Sequence, residues 1–136
     1  MTTPRLLLLI TLALAACSGR SVDYEGWQSS VLAHELGHAA GLGHSANGVM
    51  SVRSEKAMPT ADDWQSGTRI GCIEWTAPAD LEAPFEAAAE AWCIASDGEF
   101  CPWLSGDCHV EWAKLDDDTF GIHRSGLIQL SEVLRR

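Results

Sequence analysis

Apolar and polar residues recur along this chain with two periods, and each switch between them marks an element. Behind Arg5, residues 6–16 are an apolar run, interrupted only by Thr11 and ending in small residues. Residues 27–40 contain no proline and read as a helix, with Trp27, Val31, His34 and His38 on one stripe at helical spacing. Gly41 closes that helix. Thr60-Ala61-Asp62-Asp63 is an N-cap box opening a short helix that stops near Gly67. Residues 69–75 have strand character. Residues 81–95 return to helical period, with Phe85, Ala88, Ala89, Trp92 and Cys93 on one face. Pro84 fits only because it lies near the start, and Gly98 supplies the stop. Residues 109–115 and 126–131 are two further strands, the first with Val110 and Trp112 on one side. Mixed helices and strands of this order predict an α+β fold.

Length and charge narrow the picture. The 136 residues suffice for one compact domain, and 46% hydrophobic residues allow a real core. Nineteen acidic residues against nine basic ones give a net charge of −10. Such a surface argues against nucleic acid and against general attraction to anionic lipid. Solubility accounts for the charge more simply than a basic peptide substrate does. Residues 17–26 are a short tether at most, and there are no internal repeats.

The leader reads as a secretory signal, because a run of eleven residues is too short to span a bilayer. Its end, Leu14-Ala15-Ala16-Cys17, resembles the cleavage box of bacterial lipoproteins. That resemblance implies a mature chain beginning at a lipid-bearing Cys17, exported to the cell envelope and held on a membrane surface by its acyl chains. Ser18 in the next position implies the outer membrane in a Gram-negative cell. Export would expose Cys72, Cys93, Cys101 and Cys108 to an oxidising compartment, so the even count predicts two disulfides. Three pairings satisfy the count. A second zinc site is the weaker reading, since no two of these cysteines are spaced C-x-x-C.

The chemistry concentrates in His34-Glu35-Leu36-Gly37-His38-Ala39-Ala40-Gly41-Leu42-Gly43-His44. Residues four apart on a helix share a face, so His34 and His38 can offer two imidazoles to one metal ion. Glu35 is the next residue round the helix, close enough to serve a water on that metal without ligating it. The turn at Gly41 returns His44 as a third ligand. Three protein ligands leave one position open, the arrangement of catalytic rather than structural zinc. Glu35 is then the general base and acid of peptide hydrolysis.

This stretch resembles the metzincin zinc peptidases, and HELGHAAGLGHS at 34–45 is most similar to their matrixin branch. The resemblance implies a methionine turn beneath the metal. Met50, in Asn47-Gly48-Val49-Met50-Ser51, fills that role, with Met58 as the fallback. The tyrosine that some branches place after the methionine is absent, as is the proline common in matrixins. No cysteine precedes the histidines apart from Cys17, so a cysteine-switch zymogen is not expected.

Metzincins place a twisted sheet and a long helix before the zinc helix, whereas here only sixteen residues separate Cys17 from His34. The downstream half offers strand, helix, strand, strand, the order of the family's upstream half. Ile73-Glu74-Trp75 and Ala91-Trp92 resemble its first strand and first helix, and the stretch from Gly121-Ile122-His123 to Leu130 resembles its edge strand and approach. A circularly permuted metzincin follows, with 27–67 as zinc helix, methionine turn and C-terminal-type helix, and 68–136 as sheet and backing helix. Its old termini would be joined around 67–71. Gly126, Leu127, Ile128, Gln129 and Leu130 are then expected as the edge strand bordering the cleft, and the chain ends as neighbours. A truncated fragment is the alternative.

Other signals are weaker. Calcium at Asp116-Asp117-Asp118 yields to a solvated loop, because the spacing matches no calcium loop. His109 and His123 read as surface or packing residues before a second metal site. Trp92 and Trp112 read as core. Trp103 lies in a cysteine-pinned loop and is a candidate for a substrate pocket wall. Two functions compete: a monomeric zinc endopeptidase acting on extracytoplasmic proteins, and a non-catalytic zinc-binding lipoprotein. Glu35 favours the first, since a binding-only site needs no general base.

Overall fold

Asp23 opens the first helix: its carboxylate accepts the Gly26 N–H at 3.0 Å, satisfying one of the donors a helix start leaves unpaired. The computed structural model describes residues 22–52, 56–66 and 69–135, and in it helix α1 runs over Tyr24–Ala39. It therefore starts three residues before the expected 27, inside the stretch read as a tether, because Asp23 can cap and Trp27 cannot. At the other end the Gly41 N–H donates to His38 O and the Leu42 N–H to Gly37 O, both at 2.9 Å. Gly41 sits at φ +90°, the left-handed conformation that such a stop demands.

Helix α2 covers Glu82–Ala95, after a 3-10 turn at Ala79–Leu81. Phe85, Ala88, Ala89 and Trp92 are buried, as the period predicts. They pack on Leu32, Ala33, Leu36 and Ala39 of α1 within one core. The Trp92 indole donates to the Ala33 carbonyl at 2.7 Å, so one of the two fully buried tryptophans of the core also ties the two helices together.

The sheet comprises β1 (Glu74–Thr76), β2 (Trp103–Leu104), β3 (Cys108–Ala113), β4 (Gly121–Arg124) and β5 (Leu127–Ser131). Its order is β2-β1-β3-β5-β4. Every neighbouring pair is parallel except β4 with β5, which is antiparallel. Val110, Ile128 and Leu130 are buried in the core shared with the helices. Glu111 and Gln129, opposite one another in register, hydrogen bond at 2.8 Å on the exposed face. One wet face and one helix-covered face define a mixed α+β fold with a five-stranded sheet and two helices among the described residues.

Three expectations need correction. The edge strand is not 126–130: β5 is paired on both sides, and the antiparallel β4 occupies the rim. Gly126, at φ +74°, is the turn between them rather than strand. The strand expected over 69–75 shrinks to Glu74–Thr76, because the preceding segment binds elsewhere; the Gly71 N–H donates to Ala39 O at the end of α1. The helix expected from Thr60 is a single 3-10 turn, Ala61–Asp63. The Thr60 N–H donates to the Asp63 carboxylate at 2.8 Å, but Trp64 turns extended to stack on Phe100 at 5.9 Å between ring centroids. Gly67 lies outside the described residues.

Cys72 is bonded to Cys108 and Cys93 to Cys101. The first bridge joins the approach to β1 with the start of β3, and the second closes the end of α2 onto the approach to β2. Two disulfides accord with an extracytoplasmic protein. No described helix is long and apolar enough to cross a membrane. The apolar leader and Cys17 lie outside the described residues. Among the described residues, the first turns of α1 adjoin the closing segment: the Gln28 side-chain amide donates to Leu134 O at 2.7 Å, where the 3-10 turn at Glu132–Arg135 packs on α1.

Candidate metal centre

His34 and His38 stand one turn apart on α1, and the loop after Gly41 brings His44 over them. That loop is anchored by what it buries: Leu42, Val49 and Met50 are each at most 4% exposed. It is closed by the Ser45 N–H donating to Met50 O at 3.0 Å. Met50 lies against Gly37, where a Cβ would collide with its sulfur and come within 3.0 Å of the Trp92 ring. Gly37 is thus required by close approach. The methionine packs under the helix turn that carries both histidines.

The three rings converge. His38 Nε2 lies 3.2 Å from His34 Nε2 and 3.1 Å from His44 Nε2. His34 Nδ1 is 2.7 Å from Val49 O, and His38 Nδ1 is 2.8 Å from Leu42 O. A carbonyl only accepts, so each Nδ1 carries the proton and donates. Both Nε2 atoms are then bare lone pairs in the neutral rings. Bare lone pairs this close repel unless a cation stands between them. Imidazoles on a tetrahedral ion at about 2.0–2.1 Å place neighbouring nitrogens roughly 3.3 Å apart, close to the observed spacing. The backbone acceptors fix tautomer and ring orientation, as outer partners of metal-bound histidines do. These residues therefore fit a metal ion, and they are the group of metal-ligating side chains found among the described residues.

The centre opens on a cleft of about 440 Å³, walled on one side by Trp27, Val31 and Glu35 of α1 and on the other by residues 118–123. The predicted stripe of Trp27, Val31, His34 and His38 is the helix face that lines it. Glu35 is 5% exposed, and burial raises its carboxyl from the usual 4.5 to about 7. Gly121 of β4 comes so close that a Cβ there would meet Val31 Cγ1 at 2.7 Å and Glu35 Cγ at 3.1 Å. Burial also lowers His34, with His38 and His44 adding repulsion and the bond to Val49 opposing.

The remaining candidates scatter. Met58 packs at the core margin without reaching the cleft. Trp103 is 51% exposed on β2, the rim farthest from β4, and does not line the cleft at the three histidines. His109 is exposed on β3, and Asp116, Asp117 and Asp118 are exposed and join no metal-ligating group among the described residues. His123, by contrast, lines the cleft half-buried. Its pKa is lowered by burial and by the charge of His38. Sequence reasoning left it as a surface or packing residue and did not place it in the cleft. The signal that finds it is strand alternation from Gly121, which faces α1.

Comparison with known proteins finds no match to this chain: no family model, no curated protein and no solved structure.

Proposed function

We propose that this protein is a zinc-dependent endopeptidase, a metzincin with its two halves in exchanged order. The observation that carries the reading is the convergence of three imidazole Nε2 atoms beside a buried glutamate in an open cleft. Zinc held by His34, His38 and His44 would supply Lewis acidity, polarising a scissile carbonyl and acidifying water. Glu35, poised near 7 by burial, takes a proton near neutral pH and returns it to the leaving amine. The rim strand β4 receives an extended peptide by strand addition.

Exchanged order is supported by the chain path. The sheet and backing helix follow the metal helix within one polypeptide, and the start of α1 adjoins the closing 3-10 turn at Gln28 and Leu134. A rewiring that opens new termini at adjoining surface positions leaves the packing intact. The two disulfides favour export, and anchoring through Cys17 is part of the same reading. Membrane partition lost in Cys17→Ser tests the anchor.

The activity test is cleavage of casein or gelatin by the zinc-loaded protein, with and without a chelator, beside Glu35→Ala. Cleavage should vanish with the chelator and fall by about 10²–10⁴-fold in the variant. A folded protein that binds one zinc and cleaves no peptide library is instead a non-catalytic metal-binding protein.

A further inference from the structure

The wall of the cleft opposite Glu35 carries a second group of chemical interest. Gly121 and His123 are two residues apart on β4, so they share a face of the strand. Gly121 defines where that face looks, because it lies against Val31 and Glu35 of α1. His123 continues the same face along the cleft, half-buried and electrostatically in reach of His38. It does not belong to the cluster of three histidines whose ligand atoms lie within 4.8 Å of one another. Nor does its ring hydrogen bond to any described protein group. Its backbone is fixed by pairing with Ile128 of β5. An imidazole so held, beside a metal centre but outside its ligand set, presents an N–H to whatever lies in the cleft.

We propose that His123 is a catalytic residue of the endopeptidase reaction, its ring N–H donating a hydrogen bond to the carbonyl oxygen of the scissile peptide. This rests on the peptidase reading above. As water oxygen adds to the carbonyl carbon, the C=O π pair moves onto oxygen, and the donor meets the charge developing there. No proton leaves His123 in this step. Donors preorganised for such an oxyanion act chiefly in the transition state, so they raise kcat rather than affinity.

The test compares zinc-loaded wild type, His123→Leu and His123→Gln on a peptide that the wild type cleaves. Zinc content, thermal unfolding and affinity for a phosphinic peptide, which carries a tetrahedral oxyanion, are measured on all three. His123→Leu should lose about 10²-fold in kcat/KM, mostly in kcat. It should bind the phosphinic peptide correspondingly more weakly, with one zinc retained and unfolding unchanged. His123→Gln keeps an N–H donor and should recover part of the loss. Undiminished kcat in His123→Leu overturns the inference while leaving the peptidase reading standing. So does a loss tracking zinc content or unfolding, in either variant. A wild type with no chelator-sensitive cleavage overturns both.

Discussion

The two helices are nearly the same length and fill their interiors for opposite reasons. Helix α2 buries Phe85, Ala88, Ala89 and Trp92 and turns Glu82, Glu86 and Glu90 to water. Helix α1 has no such clean division. It buries Leu32, Ala33 and Leu36, but also Gln28, Ser29, Ser30 and Glu35. Some of these polar groups are answered locally: Gln28 donates to Leu134 O, and the Ser30 hydroxyl accepts the Ala57 N–H at 2.9 Å. Glu35 is different, since burial is the resolved cause of its shift and no cation offsets it. An unpaired buried carboxyl costs stability. The contrast teaches that α2 is the support and α1 the working surface, whose least comfortable residue is the one assigned the chemistry.

The sharpest way to break this contrast is to remove the support. Trp92→Ala deletes the largest side chain shared by the helices, together with its bond to Ala33 O. It should destabilise the protein by about 3–5 kcal/mol in denaturant unfolding. A much smaller loss would mean that α2 is not what holds α1.

The next test relieves the working helix. With any bound metal removed by chelation, Glu35→Gln should be more stable than wild type at pH 8. Glu35 ionises near 4.5 when unfolded and at about 7 when folded. Its contribution is therefore fully present below pH 4.5 and is lost as pH rises through 7. That displacement corresponds to a gap of roughly 3 kcal/mol at pH 8, closing towards zero at pH 4. A pH-independent difference between the two proteins would show that the carboxyl is not buried uncharged.

The same contrast explains what the sequence disclosed. α2 was legible from its period, because a helix packing on one side must repeat its apolar residues. α1 was legible as a helix from its proline-free stretch and the stripe of Trp27, Val31, His34 and His38, while the spacing of His34, Glu35, His38 and His44 located the candidate metal group; its buried Gln28, Ser29, Ser30 and Glu35 were not foreseen. The sheet was legible in part: the segments holding β1, β3 and β5 read as strands, whereas β2 at Trp103–Leu104 read as a loop, β4 entered only through the resemblance at Gly121-Ile122-His123, and the order of the strands was not legible. Residues 126–130 are apolar enough to be strand, yet nothing local says that β4 pairs outside them. That depends on the Gly126 turn and on the fit of Gly121 against α1. His123 lines the cleft and Trp103 does not for the same reason: which rim a strand occupies is a long-range property.

Gly121→Ala tests that fit. The added Cβ must displace Val31 or Glu35, overpacking the seam between β4 and α1 by about 1–3 kcal/mol in unfolding. Unchanged unfolding in Gly121→Ala would mean that β4 can move away and that the cleft wall is loose.

The smallest effect belongs to the outer side of the supporting helix. Ile94 is 73% exposed near the end of α2, so its side chain contributes little to the core although it is apolar. Ile94→Ala should shift unfolding by no more than about 0.5 kcal/mol, as surface substitutions away from special features do. The comparison with Trp92, two residues earlier on the same helix, is what gives this value meaning. Both are large apolar residues, and only the direction of the side chain separates them. If Ile94→Ala costs several kcal/mol instead, α2 is covered on both faces in the native protein. The difference between a supporting and a working helix would then lie in partners rather than in burial within one chain.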